Sequence, residues 1–124
     1  MPTILIVDDS ALIRSVVKIY LRGCPYEFLE ASDGQRALAV LEQVKVDLVI
    51  VDFNMPVMNG LVFLEKVRSA ATTMVRTIPV IFLTGDTDPD LVERATGAGA
   101  DAFLTKPVSS AVLVETVRKL LPAS

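Results

Sequence analysis

Five short apolar runs alternate along the chain with segments whose apolar residues recur at helical spacing. The runs cover residues 3–7, 26–31, 47–51, 78–84 and 101–105. Runs of this length are typical of strands that are buried on both faces, and the segments between them are typical of crossover helices. Because strand–helix–strand connections are right-handed, the repeated unit predicts an α/β fold: a five-stranded parallel sheet doubly wound by helices, (βα)5.

Helical periodicity fills the stretches between these runs. The predicted helices cover residues 10–21, 35–44, 61–67, 88–99 and 110–122. The fourth helix has the fewest apolar positions, Leu91, Val92 and Ala95, and it runs into two glycines. Because few buried contacts give low local stability, we expect this helix to be the most easily moved part of the fold.

Length and apolar content limit the class of protein. A chain of 124 residues suits one domain, and we expect a single domain over residues 1–124. Although 52% of the residues are hydrophobic, no run approaches the roughly 20 residues that span a bilayer, and no basic leader precedes the first run. Cys24 is the only cysteine, which excludes an internal disulfide. We therefore expect a cytoplasmic protein with no membrane partner.

Charge and residue usage narrow the function further. The net charge of −3 argues against direct binding to nucleic acid, since proteins that bind it carry a basic surface. The chain has no histidine, which argues against a zinc site and excludes a Ser-His-Asp triad. The remaining chemistry must come from carboxylates, hydroxyls and amines.

Such groups follow four of the five runs directly. Asp8 and Asp9 follow the first run, Asp52 follows the third, Thr84 ends the fourth and Lys106 follows the fifth. The carboxyl ends of parallel strands share one edge, where ligands bind. Three converging carboxylates repel one another, and a Mg2+ ion with its preference for oxygen ligands removes that penalty. With a hydroxyl and an ammonium nearby, the pattern predicts a site for a divalent cation and a phosphoryl group.

Each of these residues also has an ordinary role open to it. Asp9 or Ser10 can cap the helix that follows, Thr84 can bond the backbone, and Lys106 can lie in solvent. The site is favoured because the polar residues occur together, each at the end of a strand in a βα unit.

The constellation resembles the receiver domain of two-component response regulators, over essentially the whole chain. The residues that carry the resemblance are Asp8 and Asp9 in IVDDS, Asp52 in VDFNMPVMNG, Thr84 in FLTG and Lys106 in LTKP. The resemblance implies the flavodoxin-like strand order 2-1-3-4-5. It also implies a cis peptide bond between Lys106 and Pro107.

The resemblance assigns roles as well. It implies that Asp52 accepts a phosphoryl group from a sensor histidine kinase or a phosphotransfer protein. Asp8, Asp9, Asp52 and the backbone carbonyl of Asn54 would hold Mg2+, while Thr84 and Lys106 would contact the phosphoryl group. The chain would catalyse only its own phosphorylation and dephosphorylation, so we do not expect an enzyme. Its output would be contact with an unknown downstream protein.

Two further features qualify the resemblance. Phe103 occupies the position of the family's switch aromatic, where it would act with Thr84, and the interpretation as a plain core ring stays open. Arg14, Lys18 and Arg22 recur every four residues on the first predicted helix. We expect them to form a solvated face, with docking of the phosphodonor as the second interpretation.

Three alternative functions share parts of this pattern. A phosphoryl carrier in a relay, with no output of its own, would need the same site residues. A Mg2+-dependent aspartate phosphatase of the haloacid dehalogenase type needs an Asp-x-Asp spacing, whereas Asp8 and Asp9 are adjacent. A module that keeps only the fold would lack one of the site residues, and all are present.

Overall fold

The computed structural model describes residues 1–86 and 88–121, which contain five strands and six helices. The strands are β1 (Thr3–Val7), β2 (Glu27–Ala31), β3 (Leu48–Val51), β4 (Val80–Thr84) and β5 (Ala102–Thr105). The helices are α1 (Ala11–Tyr20), α2 (Gly34–Gln43), α3 (Gly60–Arg68), α4 (Thr73–Arg76), α5 (Pro89–Gly97) and α6 (Ser110–Leu120). All strand pairs are parallel, in the order β2-β1-β3-β4-β5, which confirms the predicted sheet.

Alternation of side chains along each strand builds two apolar layers. Ile4 and Ile6 of β1 pack with α1 and α6 on one face of the sheet. Leu5 and Val7 pack with α2, α3 and α5 on the other. Successive strand residues point to opposite faces, so an unbroken apolar run is what a sheet covered on both faces requires. β3 shows this directly, because all four of its residues are buried.

The helices depart from the prediction at two places. α4 was not predicted, because a single turn of four residues has no periodicity to detect. Leu12, an apolar residue of the first predicted helix that the spacing places on its buried face with Ile13, Val16, Val17 and Tyr20, is 72% exposed. It lies five positions before the buried Val17, about 140° around the helix, and so faces solvent. The predicted end of the last helix at Pro122 lies outside the described residues, and α6 ends at Leu120.

Across the described ranges, no helix combines the length and the apolar character that a membrane crossing needs.

Candidate functional site

The two adjacent strands β1 and β3 bring the three predicted carboxylates together. Val7 and Val51 are paired in register, and the ladder continues past them through a bond from Asp52 N to Val7 O (3.0 Å). The residues that follow the two strands are therefore neighbours. One carboxylate oxygen from each of Asp8, Asp9 and Asp52 lies within 4.8 Å of the others.

Lys106 bridges two of these acids. Its Nζ lies 3.0 Å from Asp8 Oδ2 and 3.3 Å from Asp52 Oδ2. Its backbone N–H donates to Thr84 O (2.7 Å), which fixes the start of the β5–α6 loop beside β4. The predicted cis bond between Lys106 and Pro107 is confirmed. The structure thus places the ammonium inside the carboxylate cluster rather than in solvent.

The burial of the two bridged acids sets the electrostatics of the site. Asp8 and Asp52 are 3% and 8% exposed. Burial raises the pKa of Asp52 above its ordinary value; Lys106 opposes the rise and the Asp8 charge adds to it. Burial lowers the pKa of Lys106, but the hydrogen bond to Asp8 and the charges of both acids outweigh it, so that pKa lies above its ordinary value.

The donor set fits a small, hard cation. Three carboxylates face one ammonium, which leaves an excess of two negative charges at the edge of the sheet. Mg2+ carries the opposite charge and prefers carboxylate oxygens together with water and phosphate oxygens. Asn54 donates its backbone N–H to Asp52 Oδ1 (3.3 Å), so it lies beside the cluster. The role of its carbonyl as a ligand stays a prediction.

Ser10, not Asp9, caps the first helix. Ser10 Oγ accepts a hydrogen bond from Ile13 N (3.3 Å), and Ser10 N donates to Asp8 Oδ1 (2.9 Å). The structure therefore settles the choice that the sequence left open between the two cap residues. Asp9 is exposed and keeps its carboxylate next to the other two acids.

Thr84 and Phe103 are not part of the acid cluster. Thr84 is fully buried, and its hydroxyl accepts a hydrogen bond from Asp86 N (3.2 Å), an ordinary turn contact. Phe103 is half-buried on β5 with its ring centroid 6.0 Å from that of Phe82, which in turn lies 5.8 Å from that of Phe53. This row of rings connects β5 to the residue that follows Asp52.

One of the three basic residues predicted on the first helix is less solvated than expected. Arg14 Nε lies 2.9 Å from Glu30 Oε1, and Lys18 Nζ lies 2.8 Å from Glu30 Oε2. The side chain of Arg14 is only 17% exposed, so the expectation of a solvated face is wrong for this residue. Arg22 is exposed.

The loop after β3 holds two features that the sequence did not reveal. Val57 has a φ of 71°, a strained conformation for a β-branched residue, and Met58 N bonds Pro56 O across it (2.7 Å). A Cβ on Gly60 would lie 2.7 Å from the backbone oxygen of Asp52. The pair Asn59-Gly60 signals a helix start, since Asn59 caps α3, but not this contact.

Comparison with known proteins gives a consistent result. The family model that describes the response regulator receiver domain matches residues 4–118 of this chain. Chemotaxis protein CheY of Pseudomonas aeruginosa is 35% identical over 94% of both chains. The transcriptional regulatory protein PdtaR of Mycobacterium tuberculosis is 41% identical over 92% of this chain, which spans only 54% of that protein.

A solved structure agrees with these matches. The chemotaxis response regulator CheY4 of Vibrio cholerae superposes with a TM-score of 0.87 at 36% identity, covering 98% of this chain and 99% of that one. Fold, sequence and the acid cluster at the edge of the sheet all agree. The chain belongs to the family of response regulator receiver domains.

Proposed function

We propose that the chain is a phosphorylation-dependent signalling switch that acts through a Mg2+-dependent aspartyl phosphate. Asp52 receives the phosphoryl group from a sensor histidine kinase or a phosphotransfer protein. The observation that carries the proposal is the contact of Lys106 Nζ with Asp8 and Asp52 inside a cluster of three acids. The surface formed by α5, β5 and α6 then binds a downstream protein in the cytoplasm.

The chemistry follows from the side chains. A carboxylate oxygen of Asp52 attacks the phosphorus, the new O–P bond forms, and the N–P bond of the donor phosphohistidine breaks. The imidazole leaves with the electron pair and takes up a proton from water. Mg2+, held by Asp8, Asp9, Asp52 and the Asn54 carbonyl, would neutralise charge on the phosphoryl oxygens. Lys106 offers its ammonium to the same oxygens.

A small phosphodonor tests this proposal without the unknown kinase. Acetyl phosphate should add one phosphoryl group to the chain in the presence of Mg2+ or Mn2+, and the intact mass of the protein reports it. Excess EDTA should prevent the addition. Equal phosphorylation with and without EDTA would contradict the metal-dependent mechanism. Steady turnover of an external phosphomonoester would instead favour the phosphatase alternative.

The metal site yields a prediction of its own. Asp9→Ala should weaken Mg2+ binding by about tenfold or more, because it removes one of the three carboxylates in contact. Asp33→Asn is the matched control, since Asp33 caps α2 through its side chain and asparagine preserves that cap. Isothermal titration with MgCl2 measures both. Equal affinities in the two variants would mean that Asp9 is not part of the site.

The switch rests on Thr84 and Phe103. Phosphorylation of Asp52 adds about −1.5 to −2 charge and three acceptor oxygens. Thr84 ends β4, which pairs with β3, and its hydroxyl is buried. We propose that Thr84 bonds one of these oxygens and that the ring of Phe103 moves into the space vacated. Moving the equilibrium between the inactive and active conformations from 1:99 to 99:1 needs about 5.5 kcal/mol. Each charge-assisted hydrogen bond supplies about 1.5–3 kcal/mol. Contacts of the phosphoryl group with Thr84, Lys106 and the metal together would supply a free energy of this magnitude.

A phosphoryl mimic separates the switch from a relay carrier. With beryllofluoride and Mg2+, wild-type amide shifts should change through residues 88–103, beyond the site itself. Thr84→Ala should retain phosphorylation but lose most of this distant change, whereas Thr84→Ser, which keeps the hydroxyl, should preserve it. If wild-type shifts changed only at the edge that holds the acids, the chain would be a phosphoryl carrier without an output of its own.

A further inference from the structure

Arg14 reaches from α1 to the backbone of the acid cluster. Its Nη1 donates to the carbonyl oxygen of Asp8 (2.5 Å), and its Nε donates to Glu30 Oε1 (2.9 Å). The guanidinium therefore spans from β2 to the turn that follows β1. Only Arg among the basic side chains carries a planar fork of donors that can serve two acceptors in fixed directions.

The carbonyl that Arg14 binds belongs to the peptide between the two adjacent acids. Because a peptide unit is planar, fixing its oxygen also fixes the direction in which the chain continues to Asp9. Asp8 is already held by contacts at both carboxylate oxygens and at its N–H. In contrast, no hydrogen bond within residues 1–86 and 88–121 holds the side chain of Asp9. The placement of Asp9 thus depends on its backbone.

Glu30 in turn fixes Arg14. It lies on β2 in register with Ile6 of β1, so the sheet itself determines its position. The hydrogen bond from Lys18, with further help from Arg14, lowers the pKa of Glu30 and keeps it ionised. One carboxylate thus holds two cations of the same helix, of which Arg14 also contacts the acid cluster.

We propose that Arg14, held by Glu30, is a positioning residue for the metal site: it orients the Asp8–Asp9 peptide so that both carboxylates can face one cation. This inference rests on the Mg2+ site of the proposed function. It assigns a role to a residue that the sequence placed on a solvated face.

If Arg14 is replaced by an uncharged residue, a positioning role and simple electrostatics predict opposite changes in Mg2+ affinity. Removing a positive charge close to three carboxylates makes the site more negative, which by itself tightens the binding of a divalent cation. Losing the contact to the Asp8 carbonyl frees the peptide and weakens binding, because the acids must then be ordered when the cation binds. Loss of a partner that orients metal ligands typically lowers affinity by about 10- to 100-fold.

The chain offers a matched pair of variants. Arg14→Met and Lys18→Met each remove one positive charge from Glu30, and each leaves an unbranched apolar stem, but only Arg14 contacts Asp8. Isothermal titration with MgCl2 should give about tenfold weaker binding for Arg14→Met. Lys18→Met should bind Mg2+ as tightly as the wild type or slightly more tightly. Unchanged or tighter binding by Arg14→Met would overturn the proposal.

Two milder variants serve if Arg14→Met does not fold. Arg14→Lys keeps the charge but cannot serve both acceptors, and Glu30→Gln loosens the Arg14 contact. Both variants should bind Mg2+ more weakly than the wild type does. Amide exchange of Asp9 and Ser10 in the metal-free chain should speed up in both variants. Wild-type affinity and exchange in both would refute the role of Arg14 alone. A wild-type chain that binds no Mg2+ would overturn the metal site, and the role of Arg14 with it.

Discussion

Asp52→Asn is expected to abolish phosphorylation by acetyl phosphate, with a loss of about 10³-fold or more. A carboxamide lacks the negative charge and the nucleophilicity of the Asp52 carboxylate, which contacts Lys106 inside the acid cluster. The intact mass of the protein after incubation with Mg2+ and acetyl phosphate measures the loss. Labelling of the asparagine variant at the wild-type level would show that a different residue is the acceptor.

The same variant should be more stable than the wild type in EDTA at neutral pH. Burial raises the pKa of Asp52 in the folded chain above its value in the unfolded chain. The stabilising contribution of protonated Asp52 is therefore present below the unfolded pKa and is lost as pH rises through the folded pKa. At neutral pH the buried carboxylate is thus a cost to the stability of the fold. Asparagine removes that cost, and we expect a gain of about 1 kcal/mol, a few degrees in Tm. Thermal unfolding therefore also shows that the loss of labelling does not come from misfolding.

Lys106→Met is expected to have the largest effect on stability without metal. The methionine leaves Asp8 and Asp52 facing each other, and breaking a buried ion pair from one side is strongly destabilising. We expect a loss of about 2 kcal/mol in EDTA, since the Lys106 side chain is 22% exposed and water screens part of the effect. Mg2+ should add more stability to the variant than to the wild type, because without the ammonium the carboxylates repel one another more strongly and bind the cation more tightly.

Lys119→Met provides the control for that change. Lys119 also pairs with a carboxylate, Glu115 (3.2 Å), but both side chains are about 70% exposed. A surface pair of this kind contributes little, so the control should stay within about 0.5 kcal/mol of the wild type, with and without Mg2+. Thermal unfolding in the four combinations of variant and metal measures this. Equal losses in the two variants would mean that Lys106 is an ordinary surface lysine.

The sequence was most informative where local pattern and tertiary packing agree. Each of the five apolar runs ends at the last residue of its strand and starts at most two residues before the strand does. A strand buried on both faces, such as β3, must be apolar throughout, which makes it visible in the sequence. The five periodic segments became helices for a similar reason, each with an apolar side toward the sheet. The position of Asp8, Asp9, Asp52 and Lys106 at one edge followed from strand direction alone.

The sequence pattern was less informative where several residues suit one role or where one residue has several possible contacts. Ser10 and Asp9 are equally suited to cap α1, and only the structure shows that Ser10 does so. Arg14 looks like a surface cation by its spacing, yet it contacts Glu30 on β2 and the carbonyl of Asp8. The strained φ of Val57 has no local signal, because nothing in its neighbours requires a left-handed residue there.

The sequence pattern alone therefore determined that five parallel strands alternate with helices and which charged groups gather at one edge of the sheet, while the strand order came from the family resemblance. Periodicity is a property of consecutive residues, and the right-handed strand–helix–strand connection makes the strands parallel. Tertiary structure decided how those groups contact one another: which acids Lys106 bridges, which residue caps the helix, and which arginine holds the Asp8–Asp9 peptide. These contacts join residues that are distant in sequence or choose among equivalent neighbours, and only packing in three dimensions sets them.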